Sequence, residues 1–243
     1  DLRNKSVRII GDPVERYRED PVRMLRAVRF AAKLGFHIDD KTRAPIRSLG
    51  KLIENVPAAR IFDEMQKLLL SGHAKKTLHR LRAEGLHHGV LPLLDVILEQ
   101  PMGVKFVNLA LDDTDRRALE GKPVSPAFLF AALFWHEVLV SWKSACEKGE
   151  HSVPALHQSM DQVLDTETQK LAIPRRLTTM MKEIWLLQPR FEQRSGKRPF
   201  ATLAQERFRA GYDFMYLRAH SGEVPVELAQ WWERFQSVEH AEQ

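Results

Sequence analysis

Residues 18–35 predict one helix whose two ends are both marked in the sequence. Asp20 is a natural N-cap, because its carboxylate can accept a free N–H of the first turn, and Pro21 suits the first helical position. Gly35 is expected to take a positive φ and end the helix. At about 100° per residue, one face is apolar. It consists of Met24, Leu25, Ala27, Val28, Ala31, Ala32 and Leu34.

The opposite face of this helix is basic. It carries Arg23, Arg26, Arg29 and Lys33. A stripe of one charge is unfavourable on a helix unless an anion lies close by. At the start of the helix, Asp20 and Arg23 offer carboxylate acceptors and guanidinium donors, which suit the hydrogen-bonding edge of a base. The alternative is an ordinary exposed helix with an Asp cap and an Arg three residues later.

The motif Glu19-Asp20-x-x-Arg23, followed by Met-Leu-Arg-Ala-x-Arg-Phe, resembles the nucleotide-recognition motif of class II nucleotidyltransferases. This family comprises tRNA CCA-adding enzymes and bacterial poly(A) polymerases, and its Asp and Arg hydrogen-bond the base of the incoming nucleotide. The resemblance implies that Asp20 and Arg23 recognise the base, with Glu19 in a supporting role. It also implies that Arg26 and Arg29 line the cleft near the nucleotide or the primer.

A second helix is predicted from Pro57 to about Ser71, with Gly72 ending it. Its core face consists of Ile61, Met65, Leu68 and Leu69. The segment resembles the family's last neck motif, Glu-Arg-x-x-x-Glu, although alanine occupies the first position. Arg60 and Glu64 match the motif, and we interpret them as an i,i+4 pair that braces the nucleotide-reading helix. A surface ion pair contributes less than about 1 kcal/mol, so bracing requires burial.

The remaining pattern is helical throughout. Residues 1–17 are expected to be extended or irregular, and no strand pattern or repeat of fixed period follows them. The most hydrophobic helix begins at Ser125-Pro126 and is predicted to be central to its domain. We therefore predict an all-α chain of consecutive helical modules. By resemblance, these are a neck (1–73), a body (74–165) and a basic leg (166–243).

Two polar clusters suggest metal sites, but we assign none to this chain. The first is a group of histidines for which the sequence shows no completing carboxylate or cysteine: His73, His79, His87 and His88. The second is the acidic run 112–115, Asp-Asp-Thr-Asp, which we interpret as a solvated loop or an N-cap.

The C-terminal part of the chain is basic, in keeping with a formal net charge of +5 and an isoelectric point near 9.4. Such a surface attracts a phosphate backbone. The residues assigned to RNA are Arg175, Arg176, Arg194, Lys197 and Arg198. Aromatic residues flank them, and we interpret these as core rather than base-stacking residues: Phe191, Phe200, Phe208 and Tyr212.

Composition limits the class of protein. There is no run of about 18 apolar residues and no signal-peptide pattern, and the single cysteine, Cys146, cannot form an internal disulfide. We expect a cytoplasmic protein. The sequence begins at Asp1 and inside a motif, and it lacks the family's Gly-Ser … Asp-x-Asp metal-binding motif. We therefore expect the C-terminal part of a longer protein.

The phrase Leu-Ala-Ile-Pro-Arg-Arg-Leu-Thr-Thr resembles bacterial poly(A) polymerases more than CCA-adding enzymes. The resemblance implies template-independent addition of AMP from ATP to RNA 3′ ends, with two Mg²⁺ ions held by a catalytic head outside this chain. It implies RNA 3′ ends as partners, together with an RNA helicase or other RNA-decay proteins, and a monomer. The alternatives are a tRNA CCA-adding enzyme and a non-catalytic helical RNA-binding module.

Overall fold

A computed structural model describes residues 2–91, 94–95 and 99–241, and these residues are mainly helical. Strand β1 (Ser6–Val7) pairs in parallel with β2 (His37–Ile38), with Ser6 opposite His37. The all-α prediction is confirmed. Within the described ranges, no helix is long and apolar enough to cross a membrane.

The chain forms two compact units. The first unit comprises Asp1–Val96, Leu111–Pro126 and Glu167–Ile173. The second unit comprises Ile97–Ala110, Ala127–Thr166 and Pro174–Gln243. The division into neck, body and leg at residues 73 and 165 follows the family resemblance and stays a prediction.

The α-helices up to residue 83 are α1 (Pro13–Glu19), α2 (Val22–Leu34), α3 (Asp40–Arg43), α4 (Ile46–Leu49), α5 (Ala58–Leu69) and α6 (Ala74–Ala83). Short 3₁₀ helices cover Leu2–Asn4, Gly50–Asn55 and His87–Gly89. The later α-helices are α7 (Pro101–Leu119), α8 (Pro126–Glu147), α9 (Ser152–Leu171), α10 (Arg175–Phe191), α11 (Arg198–Leu203), α12 (Phe208–Ser221) and α13 (Val226–Ala241).

Helix α2 ends as predicted but does not begin as predicted. Residues 18 and 19 belong to α1, and α2 begins at Val22 with Pro21 in the N-cap position, although the Asp20 carboxylate still accepts the Val22 N–H at 3.3 Å. Gly35 takes φ 66° directly after the last turn. The predicted apolar face is buried with one exception, because Leu34 is 50% exposed. Leu34 is the last residue of the helix, where the chain turns away at the glycine.

Helix α1 was not predicted from the sequence. The Asp12 carboxylate accepts the Glu15 N–H at 2.9 Å, so the Gly-Asp-Pro run caps a helix instead of only breaking the chain. Tyr17 anchors this helix: its side chain is fully buried and its hydroxyl donates to the Thr42 carbonyl at 2.9 Å. Burial raises the pKa of Tyr17 to about 12.

Aromatic residues form the core of the second unit. Trp185 donates to the Ala131 carbonyl of α8 at 3.2 Å, and Trp232 donates to the Phe191 carbonyl at 2.9 Å. Phe191, Phe208 and Tyr212 are buried as predicted. The prediction was wrong for Phe200, which is 49% exposed, although its ring lies 5.2 Å from that of Phe235.

Candidate nucleotide-recognition site

Glu19 ends α1 and binds two arginines through one oxygen. Its Oε2 accepts from Arg23 Nη1 at 2.8 Å and from Arg16 Nη1 at 2.7 Å. Arg23 Nη1 also donates to the Arg16 carbonyl at 2.9 Å. The hydrogen bond from Arg23 lowers the pKa of Glu19, and the charge of Arg16 lowers it further. Glu19 therefore stays ionised and holds the Arg23 guanidinium in place.

Asp20 lies in the link between α1 and α2 and is bound from helix α5. Its two oxygens accept from Arg60 Nη2 at 3.1 and 3.0 Å, and Oδ1 also accepts the Val22 N–H. Arg60 is half-exposed, whereas the Asp20 side chain is only 20% exposed. Arg60 and Glu64, which we interpreted as an i,i+4 pair, instead bind different residues of the motif and its helix.

Glu64 projects from α5 onto the basic face of α2. Its side chain is 2% exposed, its Oε1 accepts from Arg29 Nε at 2.8 Å, and its Oε2 accepts from Arg26 Nε at 3.4 Å. Lys67 Nζ lies 3.8 Å from the same carboxylate. One buried carboxylate thus neutralises part of the positive charge of the basic face of α2. Arg29 is 15% exposed and Arg26 is 43% exposed, so Arg26 is the more accessible of the two.

The remaining hydrogen-bonding capacity of Asp20 and Arg23 defines the chemistry of this surface. An ionised carboxylate has about four acceptor positions and a guanidinium has five N–H donors. Three hydrogen bonds already reach Asp20, while both bonds from Arg23 come from Nη1. Within the part of the chain that the structure describes, an acceptor position on Asp20 and the Nε and Nη2 donors of Arg23 therefore remain for a ligand.

A pocket of about 280 Å³ opens beside this motif in the first unit. Its lining includes Arg8, Ile10, Arg16, Arg23, Arg26 and Phe30. Arg8 and Arg16 were not singled out in the sequence, because Arg8 lies in an irregular stretch and Arg16 in a helix that was not predicted. Phe30 contacts the Arg29 guanidinium at 4.4 Å from the ring centre, and it is 43% exposed.

The five residues assigned to RNA lie in the second unit. Arg175 and Arg176 begin α10, Arg194 and Lys197 lie in the following loop, and Arg198 begins α11. All five are exposed, and in the described part of the chain none of their side chains pairs with a carboxylate. The structure therefore leaves these cations free for a polyanion.

Two family models match the chain in separate segments. Residues 35–98 match the model described as "Probable RNA and SrmB- binding site of polymerase A". Residues 148–243 match the model described as "Polymerase A arginine-rich C-terminus". The chain belongs to the poly(A) polymerase family.

Full-chain alignments to curated poly(A) polymerases agree with this assignment. Poly(A) polymerase I of Salmonella typhimurium is 41% identical over all of this chain and 54% of its own length. Poly(A) polymerase I of Escherichia coli O6:H1 is 43% identical over 97% of this chain and 52% of its own length. The CCA-adding enzyme of Anoxybacillus flavithermus is 32% identical over 58% of this chain and 34% of its own length. The chain spans about half the length of the poly(A) polymerases that it matches.

One histidine pair has a carboxylate partner that the sequence did not reveal. His87 Nε2 lies 2.8 Å from Asp95 Oδ2, and His88 Nδ1 lies 3.7 Å from the same atom. The hydrogen bond with His87 lowers the pKa of Asp95, and Arg82 Nε donates to its Oδ1 at 2.9 Å. His87 and Arg82 both hydrogen-bond to Asp95, so the cluster forms a hydrogen-bonded network, and the absence of a metal here stays a prediction.

The acidic run of residues 112–115 lies inside α7 rather than in a loop. Asp115 accepts the Ala74 and Lys75 N–H groups at 2.6 and 3.1 Å, so it caps α6 from a different helix. Asp112 binds the Lys75 ammonium at 2.7 Å, and Asp113 pairs with Arg116. Each of these carboxylates is bound by a basic side chain or by backbone N–H groups, and the absence of a catalytic role for them stays a prediction.

Proposed function

We propose that this chain supplies nucleotide selection and RNA binding to a poly(A) polymerase, which adds AMP from ATP to RNA 3′ ends without a template. The observation that carries the proposal is the unused hydrogen-bonding capacity of Asp20 and Arg23 at the start of α2. The relatives' names and the two matched models support the reaction and the RNA partner.

The chemistry of the pair favours particular bases. Asp20 accepts a hydrogen bond and Arg23 donates one, so their partner needs an amino donor beside an acceptor nitrogen. Adenine and cytosine carry exocyclic amino donors, whereas guanine and uracil carry a carbonyl acceptor at that position. The pair therefore selects adenine or cytosine and rejects guanine and uracil.

The surrounding residues position the pair. Glu19 orients Arg23, Arg60 orients Asp20, and the buried Glu64 holds α2 through Arg29. Fixed polar groups of this kind recognise a ligand without first losing side-chain entropy. Arg26, the more exposed arginine on Glu64, contacts the nucleotide phosphates or the primer.

The metal chemistry belongs to residues outside this chain. Two Mg²⁺ ions, when bound there, support attack of the RNA 3′-OH on the α-phosphate of ATP and stabilise the departing pyrophosphate. The acids 112, 113 and 115 do not fit such ions, since cations and backbone N–H groups already bind them. Expressed alone, this chain is therefore expected to bind ligands without catalysing the transfer.

RNA is the proposed partner of the second unit, through Arg175, Arg176, Arg194, Lys197 and Arg198. An RNA helicase or another RNA-decay protein is the proposed protein partner. The description of the model matched over residues 35–98, which names both RNA and SrmB, supports this segment as a place of contact. We propose that the protein acts as a cytoplasmic monomer.

The test compares Asp20→Ala and Arg23→Ala in the full-length protein with Arg18→Ala, an exposed arginine in the same stretch. Incorporation of ATP is measured in competition with UTP on a generic RNA primer. Losing one charge-assisted hydrogen bond is expected to lower kcat/KM for ATP by about tenfold or more, and to reduce the preference over UTP. Unchanged incorporation and preference in both variants would show that the proposed site is wrong.

The CCA-adding alternative shares the base-reading pair, since cytosine offers the same donor and acceptor pattern as adenine. Product length separates the two: a poly(A) polymerase makes a long A-tract, whereas growth that stops at CCA would establish the alternative. A full-length protein that binds RNA but incorporates no nucleotide would instead support the non-catalytic RNA-binding module.

A further inference from the structure

The arginines of the second unit fall into two groups. Arg207 donates to Glu183 at 3.0 Å, Arg209 lies 2.9 Å from Asp213, and Arg218 lies 2.7 Å from Glu223. By contrast, Arg190 and Arg198 have no carboxylate partner among the described residues, although they occupy the same helical region. Other arginines of this unit thus form ion pairs with carboxylates, whereas Arg190 and Arg198 do not.

Arg190 and Arg198, which are two of the unpaired arginines, line one pocket between α9, α10 and α11. Its volume is about 360 Å³, and its lining includes Val153, His157, Leu186, Pro189, Arg190 and Arg198. The remaining lining residues are polar or small, so no carboxylate faces the pocket. The hydroxyl of the lining residue Thr202 donates to the Arg198 carbonyl at 3.1 Å and is therefore already bonded.

Charge and shape together indicate the ligand. Two like charges at one pocket repel each other unless an anion is shared between them. Guanidinium groups match the geometry of phosphate oxygens, and their planes, like an imidazole ring, accept a stacked nucleobase. The apolar wall of Val153 and Leu186 suits a base, and the volume lies at the low end of the range for small-molecule sites.

We propose that this pocket binds one nucleotide of single-stranded RNA, with its phosphate on Arg190 and Arg198 and its base against His157 and the apolar wall. The proposal rests on the proposed function for its choice of RNA as the polymer. Arg198 was already assigned to RNA as part of an exposed loop. Arg190 and His157 were not assigned to RNA from the sequence. The pocket therefore gives one nucleotide a defined position on an otherwise diffuse basic surface.

The first experiment measures binding of a fluorescein-labelled A-oligonucleotide to the full-length protein by anisotropy at several KCl concentrations. Arg190→Gln and Arg198→Gln are each expected to weaken binding by about tenfold. Each is also expected to flatten the salt dependence by about 0.7 in the slope of log affinity against log salt, the value for one phosphate contact on a single strand. The matched control is Arg209→Gln, because Arg209 is exposed and already paired.

A second variant tests the pocket without removing a cation. Val153 is 51% exposed and lies in the first turn of α9, where a carboxylate is favourable to the helix. Val153→Glu therefore keeps the fold while placing a negative charge in the pocket, and it is expected to weaken RNA binding about as much as Arg190→Gln.

The base contact has its own readout. His157→Ala is expected to weaken binding of the A-oligonucleotide while leaving an abasic ribose-phosphate oligomer unaffected. If the variant weakens binding of both oligomers equally, the base is not bound at His157 and the proposed base contact is wrong.

The outcomes of these experiments distinguish failure of the pocket proposal from failure of the proposed function. If the wild-type protein binds RNA and the Arg190, Arg198 and Val153 variants bind as tightly as Arg209→Gln, the pocket proposal is overturned and the proposed function stands. If the wild-type protein binds no RNA, both are overturned. If AMP alone displaces the oligonucleotide at equal concentration, the pocket is a mononucleotide site and the assignment to an RNA chain is wrong.

Discussion

At the scale of single residues, one oxygen atom of Glu19 accepts hydrogen bonds from both Arg16 and Arg23. The side chain is exposed, so the arrangement contributes little to stability, yet it directs Arg23. It leaves Arg23 Nη2 and Nε unused, and those atoms are the proposed donors to the base. Glu19 is in this sense a positioning residue.

Arg23→Ala is expected to raise the pKa of Glu19 toward its ordinary range, because the hydrogen bond from Arg23 is the largest cause of the lowered value. A lowered folded-state pKa gives a contribution to stability that is present above the unfolded pKa, near 4.3, and is lost as the pH falls through the folded pKa. Carboxyl ¹³C titration by NMR measures the change. Arg18→Ala should leave the titration unchanged, and an unmoved Glu19 pKa in the Arg23 variant would contradict the geometry.

Glu64→Gln is expected to destabilise the first unit by about 2–3 kcal/mol. Breaking a buried ion pair costs about 3–5 kcal/mol, and we discount that figure because Arg26 is 43% exposed and screened by water. Urea unfolding followed by circular dichroism gives the free energy of unfolding. Glu54→Gln, at an exposed site, serves as the control and should change it by less than about 0.5 kcal/mol. Equal stabilities of the two variants would show that Glu64 does not brace α2.

At the scale of elements, α2 and α5 were predictable because their signals are local. Caps, terminal glycines and a 3.6-residue apolar period all lie within the segment that they describe, and the buried faces of both helices follow them closely. The partners of these helices were not predictable. Glu64 and Arg29 are 35 positions apart in the chain, and no pattern within either segment indicates that they pair.

The same limit explains the acidic run in α7. An N-cap was among its predicted roles, and Asp115 does accept backbone N–H groups at the start of a helix. That helix is α6, however, and the two residues are 41 positions apart in the chain. Helix α1 was missed for a different reason, since Gly-Asp-Pro is both a chain-breaking pattern and a cap followed by proline. Only the burial of Tyr17 distinguishes a helix start from a break in the chain. That burial depends on residues that are distant in sequence and close in the folded protein.

Asp115→Ala is expected to destabilise the first unit by about 1–2 kcal/mol, because two N–H groups at the start of α6 lose their acceptor. The loss should appear as faster hydrogen exchange of the Ala74 and Lys75 amides. Asp112→Ala is the matched control, since among the described residues Asp112 binds the Lys75 ammonium and no backbone N–H of α6. Unchanged exchange in the Asp115 variant would contradict the cap.

At the scale of the whole molecule, the two units are not consecutive stretches of sequence. The first unit uses three separate segments, the last of which is Glu167–Ile173, and that segment includes the fully buried Leu171. A buried residue late in the chain therefore belongs to the same compact unit as α2 and α5.

Leu171→Ala is expected to destabilise the first unit by about 2–5 kcal/mol, the usual cost of emptying a buried leucine site. Hydrogen exchange read by mass spectrometry should show the loss in peptides from α2 and α5. If protection fell only in peptides from α12 and α13, Leu171 would belong to the second unit instead. Leu119→Ala, at a 67% exposed position, is the control.

The interleaving of the two units has a consequence for synthesis on the ribosome. Because a protein chain is synthesised from its N-terminus, α2 is made well before Ile173, and the first unit is incomplete until Ile173 has left the exit tunnel. During that interval the nascent chain exposes apolar surface that Leu171 will later cover. The first unit, which contains the proposed base-reading pair, can therefore complete its core only after the chain has been synthesised as far as Ile173.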